Sequence, residues 1–322
     1  MATPDPAGSP AAEDRNQPLT GIGLKVASVM LFVVMQGIVK YASSEVPTGE
    51  ILFFRSVFAI PVIVVWMAMT GHLADGWRTA DPLGHFWRGF AGGASAGMSF
   101  AALGLLSFPE VTAIYYAAPL FVVILAAMFL GERVRAFRLF TVALGLAGVL
   151  IVLAPRLESL GTGQVAGPQA LGAMLTLMAA LCGALAQVFI RKMVAVETTS
   201  SIVFWFSVTC TVLSLTTLPW GWVMPGPVTF AALVVAGIIG GIAQVLLTSS
   251  YRYADASIIA PFEYASMIFA LGAGWLIWSE VPSLQTLGGA ALIMSAGILI
   301  ILRERRLGLE RARARRSMTA GT

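Results

Sequence analysis

Ten uninterrupted apolar runs, each near 20 residues long, fill the chain between Gly21 and Leu302. A run of that length spans a hydrocarbon core of about 30 Å as an α-helix. In lipid no water satisfies backbone N–H and C=O groups, so only helices and closed barrels cross. Barrel strands alternate apolar and polar residues. These runs do not alternate, and they are rich in Leu, Ala, Gly and Met. The pattern selects helices. Composition agrees, because only 11% of residues are charged, roughly half the fraction of a soluble chain. Mean hydropathy is +0.85.

The predicted spans are 21–41, 48–70, 86–107, 110–130, 136–154, 169–191, 200–220, 228–250, 256–278 and 284–302. Prolines 47, 82, 109, 155, 168, 219 and 282 sit near the junctions, where a missing N–H costs little. Basic residues mark cytoplasmic loops. With the N-terminus inside, all 20 lysines and arginines except Lys40, Arg55 and Arg156 fall on the cytoplasmic side, Lys25 and Arg88 among them. A missed helix would scramble this alternation, so ten spans with both termini inside are expected. Residues 1–20 read as a disordered cytoplasmic tail without the basic-then-apolar order of a signal peptide. Residues 303–322 read as an Arg-rich cytoplasmic tail suited to anionic headgroups. Cys182 and Cys210 lie inside apolar runs and form no CxxC pair.

The chain also repeats itself. PLFVVILAAMFLGERV at 119–134 is similar to MIFALGAGWLIWSEVP at 267–282. Each ends at an acid, Glu132 or Glu280, and a Gly-rich helix follows. Upstream, FPEVTAI at 108–114 matches YADASII at 253–259. Thr112 stands 20 residues before Glu132 and Ser257 stands 23 before Glu280, so the second copy gains about three residues near Pro261. Two five-helix repeats, 21–155 and 169–302, are expected. An odd number of helices per repeat inverts one copy relative to the other across the bilayer. Inverted repeats with a midplane site between them are a common plan of secondary transporters.

Four stretches carry a resemblance to a known family: KYASSEVPTGEILFFRSVFA at 40–59, FWRGF at 86–90, TAIYYAAPLFVVILAAMFLGERV at 112–134 and ADASIIAPFEYASMIFALGAGWLIWSEVP at 254–282. By them the chain resembles the drug/metabolite transporter superfamily in its ten-helix EamA-type branch. The KY…E…FFR and APFEY patterns are most similar to the S-adenosylmethionine-uptake and riboflavin-uptake subgroups. The resemblance implies an all-α pseudo-symmetric basket, alternating access and no ATP hydrolysis.

Charged and amide side chains inside the spans are the candidate substrate-binding groups. Arg55 lies about a turn and a half inside the second span. A charge at the bilayer centre costs about 2.5–3.5 kcal/mol on insertion scales. It either pairs with Glu50 or Glu263 or binds a carboxylate, phosphate or carbonyl of the substrate. Spacing disfavours Glu50, because i and i+5 do not share a helix face well. Glu263 sits beside Tyr264 and just after Pro261, where a broken helix favours a polar site. It pairs with Arg55, binds a substrate amine or sulfonium, or carries a coupling proton. Gln36, Gln187 and Gln244 are cavity donors or interhelical hydrogen-bonding groups. Tyr116 and Tyr264 offer rings with polar tips, and one of the adjacent Tyr115 and Tyr116 should point away from the cavity. Trp275 is deep enough to stack on an aromatic substrate. Lys40 either snorkels to the outer surface or lines the outer mouth. Gly89, Gly93 and Gly97 form a GxxxGxxxG packing face.

Rival functions lack their chemistry. GASAG at 93–97 fits the GxSxG of intramembrane serine hydrolases, but Ser95 needs a base. The only histidines, His72 and His85, fall in the 2–3 loop. No HExxH, Walker A or metal-spaced cluster is present. An enzyme, a metal and a cofactor are therefore not expected. Loops are too short for a sensing domain, which disfavours a non-transporting partner subunit, and no filter-like sequence points to a channel. A secondary transporter in a bacterial inner membrane is expected. Its expected partners are a small polar or zwitterionic substrate, membrane lipids and a coupling proton, with no nucleic acid. S-adenosylmethionine, riboflavin and amino-acid-like metabolites are the substrates the resemblance suggests. The sequence sets no oligomeric state.

Overall fold

A computed structural model describes residues 17–130, 136–161, 167–194, 196–254 and 259–319. Most of the N-terminal tail, Glu132 with its neighbours Arg133 and Arg135, and Ser257 lie outside the described residues.

The described residues are helical throughout, without strands. In order they form α1 (Pro18–Ala42), α2 (Thr48–Val57), α3 (Ala59–Met69), α4 (Pro82–Leu103), α5 (Phe108–Tyr115) and α6 (Ala118–Leu130). Then follow α7 (Ala136–Gly161), α8 (Pro168–Met193), α9 (Thr199–Leu215), α10 (Pro227–Tyr253), α11 (Ala265–Trp278) and α12 (Leu284–Thr319). Phe58 alone separates α2 from α3, and residues 116 and 117 separate α5 from α6. The segments therefore make ten rods among the described residues. Four stretches, Pro18–Ala42, Thr48–Met69, Pro168–Ile190 and Pro227–Tyr253, are long and apolar enough to cross a bilayer by length and composition.

Helix starts follow local chemistry. Proline occupies the first turn of α1, α4, α5, α8 and α10, where its missing N–H has no intrahelical partner to lose. Asp81 Oδ1 accepts the Gly84 N–H at 2.9 Å to cap α4. Ser107 and Glu110 form a capping box that starts α5. This cap divides α4 from α5, the junction at SFPE that hydropathy alone barely marks.

Two differences from the expected boundaries matter here, and one has consequences for function. Helix α4 begins at Pro82, four residues before position 86, because Asp81 caps it there. His85 and Arg88 thus lie inside a helix and are buried rather than in a loop. Lys25 is also buried, on α1. Helix α12 runs on through Thr319, so the Arg-rich segment continues the last helix.

The rods pack in a recurring pattern. Helix α1 lies along α10, α4 along α8 and α7 along α12, while α9 packs against α2, α3 and α4. The GxxxGxxxG face behaves as expected: Gly89 lies against Thr209, and Gly93 against Cys210 and Leu213 of α9. The closest helix approach is that of α7 and α12. A Cβ on Gly148 would stand 2.8 Å from the Gly289 carbonyl oxygen, and one on Gly289 2.8 Å from the Gly148 carbonyl oxygen. Backbone meets backbone there, so no side chain can yield. Gly148→Val or Gly289→Val should destabilise the purified protein by about 1–3 kcal/mol. The check is a lowered melting temperature in detergent, and an unchanged melting curve would refute the close crossing.

Candidate functional site

A cavity of about 240 Å³ opens between the rods. One stripe from each of three helices builds most of its wall. Lys25, Val29, Phe32 and Gln36 recur along α1, Arg88, Gly92, Ser95 and Ser99 along α4, and Gly183, Gln187 and Ile190 along α8. These spacings of three, four and seven place each set on one helix face. Arg55 from α2, Phe206 from α9, Gln244 from α10, and Glu263 and Ser266 also belong to the lining.

Of the residues singled out in the sequence, Arg55, Glu263, Gln36, Tyr116, Gln187 and Gln244 all line this cavity. Tyr264 does not. Its ring stands edge-on to Tyr116 at 5.1 Å, and its hydroxyl faces Gly297. Trp275 is 65% exposed and lies outside the cavity. Tyr115 and Tyr116 both line it, against the expectation that one would turn away. The reason is the width of the face: adjacent helical residues stand about 100° apart, and Val111, Thr112, Tyr115 and Tyr116 all line the cavity. Tyr116 is anchored by Ser266, Oη to Oγ 2.7 Å. Ser95 donates to the Ala179 carbonyl at 2.7 Å, tying α4 to α8.

The charges are arranged differently from the expectation. Glu263 pairs with Lys25, Nζ to Oε2 3.5 Å, and not with Arg55. Glu50 is also taken, by the Val223 N–H at 3.0 Å. Arg55 has no ion-pair partner among the described residues. Arg88 joins it, and both guanidinium groups face the Phe206 ring, with Cζ 5.5 Å and 3.7 Å from its centroid. Lys25 and Arg88 were missed because a basic residue near a span end reads as a loop charge. The helical stripe from Lys25 to Gln36 was the signal that could have placed Lys25 inside.

Two carboxylates join segments of the two halves near opposite ends of α4. Past its C-terminal end, Lys40 meets Glu280 at 2.7 Å and donates to the Leu106 carbonyl at 3.0 Å. The Phe108 N–H donates to the other Glu280 oxygen at 2.9 Å. Lys40 is thus held in a cluster instead of reaching free to the surface. At the N-terminal end of α4, Glu197 Oε1 accepts from the Thr79 hydroxyl, the Ala80 N–H and the Asp81 N–H at 2.8, 2.7 and 3.0 Å. His85 Nε2 stands 3.5 Å from the same oxygen. Arg252 donates to the Glu197 carbonyl at 3.1 Å. Burial pushes the Glu197 carboxyl up, but the Thr79, Asp81 and Ala80 bonds outweigh it, and the acid is held below its ordinary range.

Comparison with known proteins bears on this arrangement. The model of the EamA-like transporter family matches twice, over residues 19–154 and 170–303. The pseudopaline exporter CntI of Pseudomonas aeruginosa is 30% identical over 87% of this chain and 95% of its own. An S-adenosylmethionine uptake transporter of Rickettsia felis is 29% identical over 89% of this chain and 94% of its own. A riboflavin transporter of Rhizobium johnstonii is 28% identical over 81% and 83%. A solved crystal structure has the same fold, with a TM-score of 0.64 over 90% of this chain and 99% of that one at 21% identity.

Two outcomes are expected from this geometry. Glu263→Gln leaves the buried Lys25 without its counter-ion, and Lys25→Met leaves the part-buried Glu263 without its own, so each should lower the melting temperature, Glu263→Gln the more. The double variant should recover part of the loss, since removing both charges removes the desolvation penalty too. Additive losses would show that the pair is not coupled. For Glu197, a carboxyl held low in the fold adds stability above its unfolded pKa and loses it as pH falls through the lower folded value. Wild type should therefore lose melting temperature on acidification more steeply than Glu197→Gln. Parallel pH profiles would discard the assignment.

Proposed function

Because the chain belongs to the EamA-like transporter family, we propose that it carries a small polar metabolite across a bacterial inner membrane by alternating access between two inverted five-helix repeats. The observation that carries this is a cavity walled by both halves of the chain that brings Lys25, Arg55, Arg88 and Glu263 together in a largely apolar lining, with carboxylate clusters at Glu280 and Glu197 that also join the halves.

The packing supports a pseudo-twofold arrangement. If each rod of residues 21–155 is exchanged with its counterpart in 169–302, the α1–α10 contact becomes α8–α4. The α7–α12 contact becomes itself, and α2/α3 with α9 becomes itself. All of these are contacts the bundle makes. An odd repeat running in opposite senses produces such a pattern. With the N-terminus inside, the Glu197 cluster is the cytoplasmic closure and the Lys40–Glu280 cluster the outer one. Alternating access then opens one cluster while the other holds.

Within the cavity, Arg55, Gln36, Tyr116, Gln187 and Gln244 are the proposed substrate groups, with Tyr264 supporting Tyr116. Glu263 is the proposed carrier of a coupling proton, since its one charged partner among the described residues is Lys25. Relatives named for pseudopaline, S-adenosylmethionine and riboflavin indicate one scaffold that takes several small metabolites. They are named as transporters, which speaks against catalysis.

Reconstituted protein should show saturable counterflow for a member of a metabolite panel that includes S-adenosylmethionine, riboflavin and amino acids. Unsaturable flux would mean a channel, and no flux for any member a partner subunit. Arg55→Gln and Glu263→Gln, both checked for folding, should each cut uptake at least tenfold. Normal uptake in both would remove the proposed site.

A further inference from the structure

Among the described residues, four acidic or basic side chains line the cavity: Lys25, Arg55, Arg88 and Glu263. Lys25 and Glu263 pair. The two arginines remain, so the lining carries two uncompensated positive charges. Both are buried, Arg55 at 4% and Arg88 at 3% exposure. Arg55 Nε and the Nε and Nη1 of Arg88 meet no hydrogen-bond acceptor among the described residues. The Phe206 face attracts both cations but accepts no conventional hydrogen bond.

The sequence makes room for these groups. Gly92 lies one turn after Arg88, and a Cβ there would stand 2.6 Å from Arg88 Nη1 and 2.9 Å from Phe206 Cε2. Gly240 does the same for Arg55, whose Nε would lie 3.1 Å from a Cβ at that position. Two guanidinium groups on one ring repel each other, and each buried N–H left without an acceptor costs about 1–3 kcal/mol or more for a charged group. Like charges are held together in this way where an anion joins them. A guanidinium presents a planar fork of donors that fits a carboxylate or phosphate in pairs.

We infer that Arg55 and Arg88, stacked about Phe206, form an anion subsite that binds the dianionic end of the transported metabolite, either two carboxylates or one phosphate monoester. This rests on the carrier reading and adds to it the class of cargo. A monoanion would leave one arginine charge uncompensated, and a cation would add a third positive charge to the cavity.

The probes are succinate, glycerol 3-phosphate and, as a neutral control, dimethyl succinate. They are titrated against the full-length purified chain with a tryptophan-fluorescence or thermal-shift readout at constant ionic strength. Succinate or glycerol 3-phosphate should bind, and dimethyl succinate should not. Arg55→Gln and Arg88→Gln should each weaken that binding by roughly tenfold or more. Arg78→Gln removes the same charge from an exposed loop side chain and should leave binding unchanged. Should a Gln variant fold poorly, Arg55→Lys and Arg88→Lys keep the charge without the planar fork and should restore folding and part of the binding. Equal binding of the dianions in wild type and both arginine variants, or binding of the neutral ester alone, would overturn the subsite. A copurifying phospholipid seen by native mass spectrometry in wild type and lost in both variants would assign the anion to a lipid headgroup and overturn the metabolite cargo. Counterflow separates this inference from its premise. Saturable counterflow of neutral or cationic metabolites, insensitive to the dianions, keeps the carrier and rejects the subsite. Arginine-dependent dianion binding with no flux keeps the subsite and rejects the carrier.

Discussion

A charged group inside an apolar bundle has to be met by a partner, and the interior of this protein is organised around that requirement. Four charges enter the cavity. One pair is settled internally by Lys25 and Glu263. Among the described residues, Arg55 and Arg88 have no ion-pair partner and face the Phe206 ring. The helices around them are correspondingly small-faced, with Gly92 and Gly240 leaving space that a methyl group would fill. Packing, polarity and purpose therefore coincide in one place. The same groups that make the core expensive to form, several kcal/mol for each stranded ion, are those that give a polar solute reason to enter it.

The bundle around the cavity divides its labour between stiff and yielding contacts. At the α7–α12 crossing, two glycine backbones touch and nothing can adjust. The walls of the cavity itself include two helix interruptions, at residues 116–117 and in the short 3-10 turn Ala260–Tyr264 that leads into α11. Interrupted rods carry Tyr116 and Glu263 to the cavity from matching places in the two halves, and interruptions at such depth are tolerated where backbone lines a cavity or is buried in protein.

Much of this was legible in the primary structure. The number and order of rods followed from apolar run length, since nothing but a helix hides that much backbone. Glu263 and Arg55 stood out because lone charges in apolar runs are rare and costly. Two kinds of residue were misread. Lys25 and Arg88 lie within a turn or two of a span end, and counting basic residues cannot separate a side chain pointing to water from one pointing inward. Pairing was the other failure. Arg55 and Glu263 were natural partners in a list of charges, but contact depends on how α1, α2 and the Ala260–Tyr264 turn meet, and that is set by tertiary packing. Tyr115 was misjudged because the cavity takes a wider face of that helix than a single stripe.

The Glu197 cluster has a consequence of its own. Its donors do not share two oxygens; Thr79, Ala80, Asp81 and His85 all converge on Oε1. A set of contacts that share one atom cannot loosen one at a time without weakening the others, since each bond holds the atom where the rest need it. Separation of the segments at that end is therefore cooperative, closer to a click than to a hinge swinging freely. The Glu280 cluster differs, since Lys40 and the Phe108 N–H take separate oxygens of its carboxylate and each contact is free to loosen without the other.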